Sequence, residues 1–205
     1  MRFTALEELA EISDSTANGS PIENEQVFYA TLKDVSFLNS TTYQDQEQWE
    51  LKLFTDMFDG QCVGGYRVRK ITTDERVEFE ATSKINDSSM PIEKGVISKP
   101  EFNEECDSGK FETIKAAAKR GMIKRRHFVL IPGTTQTAQV DLFRTNEGGF
   151  HQYVKIDIEL KKGDEKIHPD QLGWMFTDII DATSQEPEHK EFIKSLYANC
   201  FTTLK

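Results

Sequence analysis

Charged side chains recur at every second position in several segments of this chain, and that spacing puts them on one face of a strand. In residues 151–160 one face reads His151, Tyr153, Lys155, Asp157 and Glu159, and the other Val154, Ile156, Ile158 and Leu160. The pattern returns as Gln48, Glu50 and Lys52 against Trp49, Leu51 and Leu53, and as Arg67 and Arg69 against Tyr66 and Val68. It returns again as Arg76, Glu78, Glu80, Thr82 and Lys84 against Val77, Phe79 and Ala81, and as Lys124 with Arg126. Two chemistries are open to such faces. On a flat sheet they are solvated and laced by cross-strand ion pairs, roughly 0.2–1 kcal/mol each. On a sheet curled so that they converge, guanidinium and ammonium groups grip phosphate oxygens. Carboxylates two positions apart then share a hard cation such as Mg²⁺, and a second ion would activate water.

Composition narrows the partners. The net charge of −10 disfavours long nucleic acid, double-stranded DNA included, and acidic membranes. Yet Tyr66 to Lys70 and Lys119 to Arg126 together carry eight of the twenty-five basic residues, which suits a small polyanion held in a pocket. No apolar run is long enough to span a bilayer and no secretory segment opens the chain, so a cytoplasmic protein is expected. Cys62, Cys106 and Cys200 are odd in number and widely spaced, which fits a reducing compartment better than a disulfide framework.

The elements that must position these residues are short strands at hairpin spacing. Strands are expected at Val27 to Val35, Trp49 to Phe54, Tyr66 to Ile71, Val77 to Ile85, Lys124 to Ile131, Ala138 to Phe143 and His151 to Leu160. Turns fall at Asp74-Glu75, Pro132-Gly133 and Asn146 to Gly149. Thr4 to Ile12 reads as a helix behind a capping box, and Ser13 to Asn24 as a mobile linker. Phe111 to Arg120 is predicted helical with Gly121 as its C-cap, and two helices, Asp170 to Ala182 and Glu188 to Asn199, close the chain. Asn86 to Gly109 reads as an irregular lid or loop. The fold class expected is α+β: an antiparallel, strongly curved or closed β-barrel with peripheral helices. Residues 1–40 form an N-terminal helix and linker in this reading, and 41–205 a single domain.

Taken in order, these motifs resemble the CYTH superfamily, the triphosphate tunnel metalloenzymes. The family's Glu-x-Glu-x-Lys strand is matched by Gln48-Trp49-Glu50-Leu51-Lys52, with Gln48 in place of an acid. Its Arg-x-Arg strand is matched by Arg67-Val68-Arg69, its strand-ending lysine by Lys84, and its Lys-x-Arg by Lys124-Arg125-Arg126. Asp141-Leu142-Phe143, Gly148-Gly149 and Asp157-Ile158-Glu159 match the closing signature. A second register for the opening strand, Glu23-Asn24-Glu25, lacks a lysine at the right step.

The resemblance implies an eight-stranded tunnel that hydrolyses a triphosphate-containing substrate with Mg²⁺ or Mn²⁺. That substrate is inorganic triphosphate, a nucleoside triphosphate or an RNA 5′-triphosphate end. It assigns Glu50, Glu78, Glu80, Asp157 and Glu159 to metal, and Arg67, Arg69, Lys84, Lys124 and Arg126 to the phosphates. Lys52 acts with Glu50 and Glu159 in catalysis. Two other functions stay open. One is a tunnel that sequesters a phosphorylated ligand without cleaving it. The other is a protein-interaction module using the C-terminal helix, where Phe192, Leu196, Tyr197 and Phe201 share a side. His127 and His151 read first as hydrogen-bonded strand residues, and Trp49 and Trp174 as core.

Overall fold

The structure is a computed structural model and describes residues 22–54, 62–85, 97–118, 120–145, 147–161, 163–182 and 201–202. The helices expected at Thr4 to Ile12 and Glu188 to Asn199 lie outside the described residues. Among the described residues ten strands make one sheet. They are β1 (Ile22–Leu32), β2 (Thr42–Phe54), β3 (Cys62–Thr72), β4 (Val77–Ile85), β5 (Ile97–Glu105), β6 (Arg120–Leu130), β7 (Thr137–Arg144), β8 (Phe150–Glu159), β9 (Phe176–Asp181) and β10 (Phe201–Thr202). All pairings are antiparallel. The order is β10-β6-β2-β3-β4-β5-β1-β8-β7, and β6 also pairs with β7, so β6 has neighbours on both edges. The molecule is therefore α+β with a curved antiparallel sheet. The sheet starts at Ile22, ahead of the boundary expected at residue 41, and β1 pairs with β5, β8 and β9.

Alternation sorts each strand into two faces. The apolar positions of β1, β7 and β8, among them Phe28, Val140, Val154 and Ile156, pack under Ile167, Leu172, Met175 and Phe176. On β2, β3 and β4, Trp49, Val68 and Ala81 pack under the one α-helix among the described residues, α1 (Ser108–Ala117), through Phe111 and Ile114. Each large side chain so buried contributes about 1.5–3 kcal/mol. Both apolar coats lie on the outer face of the sheet, which leaves the charged positions facing inward.

Three local expectations are overturned. Helix α1 starts earlier than Phe111 because Asp107 caps it, accepting from the Lys110 amide at 2.7 Å. It ends at an extended Ala118, and Gly121 is not its cap but part of β6. The loop expected over Asn86 to Gly109 contains β5. Pro100 sits where β5 passes from β1 to β4: its last β1 partner is Ile22, and pairing with β4 begins at Glu101. A residue without an amide hydrogen is tolerated at such a handover.

The third correction concerns Asp170 to Ala182, which is not a helix. A 3₁₀ turn, Pro169–Leu172, stops at Gly173, and the β-branched and aromatic residues that follow form β9 on the free edge of β1. Asp178, at φ 51°, is the extra residue of a bulge in that pairing. Trp174, expected in the core, is 48% exposed, whereas Trp49 is 3% exposed as anticipated.

Gly121 is required by close approach. A Cβ built there would lie 2.2 Å from the Trp49 ring. Gly121→Ala is expected to destabilise the protein by about 1–3 kcal/mol, as overpacking does. Urea denaturation measures it, and an unchanged midpoint would show that Trp49 has room to move.

Candidate functional site

Residues on one face of β1 to β8 line a cavity of about 320 Å³. Its charged lining is Arg67 and Arg69 from β3, Lys124 and Arg126 from β6, Lys155, Asp157 and Glu159 from β8, Glu25 from β1, Glu80 from β4 and Asp141 from β7. Gln44, Gln48, Asn103 and Gln139 add amides, and Met122, Phe128 and Phe143 add apolar surface. Strand register sets the neighbours: Gln48 lies opposite Arg69 and Met122, Asp141 opposite Arg126 and Lys155, and Glu25 opposite Glu159.

A row of alternating charge crosses β6, β7 and β8. Asp141, fully buried, accepts from Lys124 Nζ at 2.5 Å and from Arg126 Nε and Nη2 at 2.6 and 2.8 Å. Arg126 Nη2 also donates to Asp157 at 3.2 Å, and its Nη1 donates to Gln139. Lys155 Nζ lies 2.5 and 2.7 Å from the two oxygens of Asp157. Every nitrogen of the Arg126 guanidinium is thus engaged with the protein. On the opposite wall, Arg69 Nη1 donates to Glu80 at 3.0 Å and Arg67 Nη2 to Thr82 at 3.3 Å. Thr82 in turn donates to Asn103 at 2.7 Å.

Burial and neighbouring charges both show in the proton affinities. Burial, with Arg126 beside it, pushes the Lys124 ammonium well below its ordinary value against the pull of Asp141. Burial and neighbouring Arg67 bring Arg69 down to about 10. Burial alone would raise the Asp141 carboxyl, but Lys124 and Arg126 overrule it and hold it below the usual carboxylate range. Burial opposes the charge of Arg126 too, yet Asp141 and Asp157 raise its affinity.

The sequence-derived candidates divide on this geometry. Arg67, Arg69, Lys124, Arg126, Glu80, Asp157 and Glu159 come together in the cavity. Glu50 shares the inward parity of Gln48 but is exposed and outside the lining, beside Gly65. Glu78, assigned to metal, is also exposed outside it and pairs with Arg76 at 3.2 Å. Lys52 and Lys84 both sit opposite Gly65 in register, and their side chains lie outside the described residues. His127 points to the outer face, its Nδ1 2.8 Å from Thr41 Oγ1, and neither His127 nor His151 lines the cavity. Glu25, Asp141 and Lys155 are site residues that carried no assigned role. The acid spacing in Glu23-Asn24-Glu25 was the available signal for the first of them.

The oxygen donors suit a hard cation. Glu25 and Glu159 are direct register partners, and Glu159 accepts from Gln139 Nε2 at 2.7 Å. Among the described residues no three His, Cys, Asp or Glu side chains gather as a metal cluster. A divalent ion between Glu25 and Glu159 would have to complete its shell with substrate phosphates and water.

No family model matches the chain, and no curated protein does. Among solved structures it is similar to the PH1819 protein of Pyrococcus horikoshii OT3, at 12% identity and TM-score 0.45, covering 88% of this chain and 94% of that one. It is also similar to the conserved hypothetical protein Pfu-838710-001 of Pyrococcus furiosus, at 17% identity and TM-score 0.40, covering 74% and 84%. The PH1012 protein of Pyrococcus horikoshii OT3 matches at 14% identity and TM-score 0.39, covering 86% and 88%. Among the described residues no helix is long and apolar enough to cross a membrane.

Proposed function

We infer that this chain is a divergent triphosphate tunnel protein of the CYTH type and hydrolyses a triphosphate-containing substrate with Mg²⁺ or Mn²⁺. The additional β6–β7 pairing in the curved sheet supports the tunnel reading. The observation that carries the reading is the convergence of Arg67, Arg69, Lys124, Arg126 and Lys155 in one cavity with the Glu25–Glu159 pair. Cations from three strands bind and orient the phosphate chain. Glu25 and Glu159 would hold the divalent ion, which would supply polarisation of the phosphate oxygens. Catalysis then comes from positioning and electrostatic stabilisation, with water as nucleophile, as phosphoryl transfer requires.

A second reading, sequestration without cleavage, is favoured by one observation. Asp141 and Asp157 are committed to cations, and Gln44, Gln46 and Gln48 occupy the inward positions of β2 where acids would complete a metal site. Phosphate release from inorganic triphosphate, ATP, GTP and 5′-triphosphorylated RNA, each with Mg²⁺ and with Mn²⁺, separates the two. Metal-dependent release is expected from at least one substrate. Tight binding with no release from any would establish sequestration, and neither binding nor release would overturn both.

A further inference from the structure

Strand β2 carries three glutamines, Gln44, Gln46 and Gln48, at alternate positions on its cavity-facing side. Gln44 and Gln48 line the cavity, and Gln46 lies between them. Gln46 is 1% exposed and Gln48 7%. Among the described residues neither the nitrogen nor the oxygen of the Gln46 amide has a hydrogen-bond partner, and nor does Oε1 of Gln48. Turning the Gln46 amide over leaves it equally bare. Buried polar groups are nearly always paired, so amides left this way along a cavity wall call for a partner.

The nearest donors of the protein are already engaged. In register Lys124 neighbours Gln46 and Arg69 neighbours Gln48, but Lys124 donates to Asp141 and Arg69 to Glu80. A phosphate chain alone does not fill the gap, because its oxygens accept hydrogen bonds and the bare Oε1 atoms need donors. Acids at these positions would draw a cation; amides ask instead for N–H or O–H groups. Phe128, which lines the cavity two residues from Arg126 on β6, offers apolar surface to an organic group.

We propose that Gln46 and Gln48 are specificity-determining residues: they select a phosphate ester whose organic part carries N–H or O–H donors, against an inorganic polyphosphate. Gln48 contacts that organic part directly, and Gln46 completes the pair of amides. The inference rests on the phosphate-binding reading of the cavity above.

Isothermal titration of the full chain in EDTA, which stops metal-dependent turnover, compares four ligands. ATP and GTP carry donors on base and ribose; methyl triphosphate is an ester without them, and inorganic triphosphate has no organic part. At least one nucleotide is expected to bind about 10-fold or more tightly than the last two. Gln48→Met and Gln46→Met keep the approximate volume and remove the amides. Each should weaken the preferred nucleotide by about 5- to 10-fold and leave methyl and inorganic triphosphate within about 2-fold of wild type. Gln46→Met should also melt at or above the wild-type temperature, since an unpaired buried amide gives way to an apolar side chain of similar shape. Lost nucleotide binding in that variant therefore does not come from a damaged fold.

Equal wild-type affinity for all four ligands, or an unchanged ratio of nucleotide to inorganic triphosphate in the variants, would overturn the selection. The phosphate site would then stand, with water satisfying the amides. Absence of binding by any of the four would instead remove the phosphate site, and this inference with it.

Discussion

Glu159→Gln is expected to abolish the proposed phosphate release, lowering it by about 10³-fold or more, while the fold persists. The magnitude is that of removing a group which stabilises charge in the transition state. Glu159 is exposed at the cavity, lies opposite Glu25 in register, and accepts from Gln139 at 2.7 Å. Glutamine keeps the volume and the Gln139 contact but supplies a weaker oxygen ligand and no charge. Because no apolar packing changes, the stability cost should stay within about 0.5 kcal/mol, as at exposed sites generally. Release assays beside thermal melts check both halves. Undiminished release in a folded variant would remove Glu159 from the chemistry.

Asp141→Ala has the largest expected effect on stability, a loss of about 3–5 kcal/mol. Removing one partner of a buried ion pair strands the other charge without water. Here two are stranded, because Lys124 and Arg126 both donate to Asp141 and Lys124 is itself 5% exposed. Lys124→Met combined with Asp141→Leu should recover part of that loss, since an apolar pair of similar size removes one of the stranded charges. Urea denaturation of the three proteins tests this, and a single variant as stable as wild type would mean that water reaches Lys124.

The pH dependence follows from the same group. The folded carboxyl of Asp141 titrates below its unfolded counterpart, so the unfolded chain binds more protons as pH falls. Its stabilisation is complete above the unfolded value near pH 4 and is lost as pH drops through the lower folded value. Asp141→Asn should flatten that acid limb, and an unchanged limb would place the acid sensitivity elsewhere.

Much of the inward wall was legible in the chain because side-chain direction in a strand is a local property. Once 151–160 is read as extended, Lys155, Asp157 and Glu159 must share a face, and the apolar faces opposite must be covered. The same logic placed Arg67 with Arg69 and Lys124 with Arg126, and all of them line the cavity. Turn chemistry was equally local: Asp74-Glu75 and Pro132-Gly133 connect β3 to β4 and β6 to β7. Membership of the site was harder. Glu50 and Glu78 have the right parity but sit too far along their strands to reach the cavity, and parity carries no information about depth.

What the sequence by itself determined is the sorting of each strand into a charged and an apolar face, because a two-residue period depends on backbone geometry alone. Which strands lie side by side was decided only by the tertiary structure. Glu25 meets Glu159 because β1 pairs with β8, a contact between residues far apart in the chain that no local spacing encodes. The same holds for the element type of 176–181. Its residues suit either a buried helix or a strand, and the unpaired edge of β1 settled it, since backbone groups left without partners cost more than a modest change in propensity.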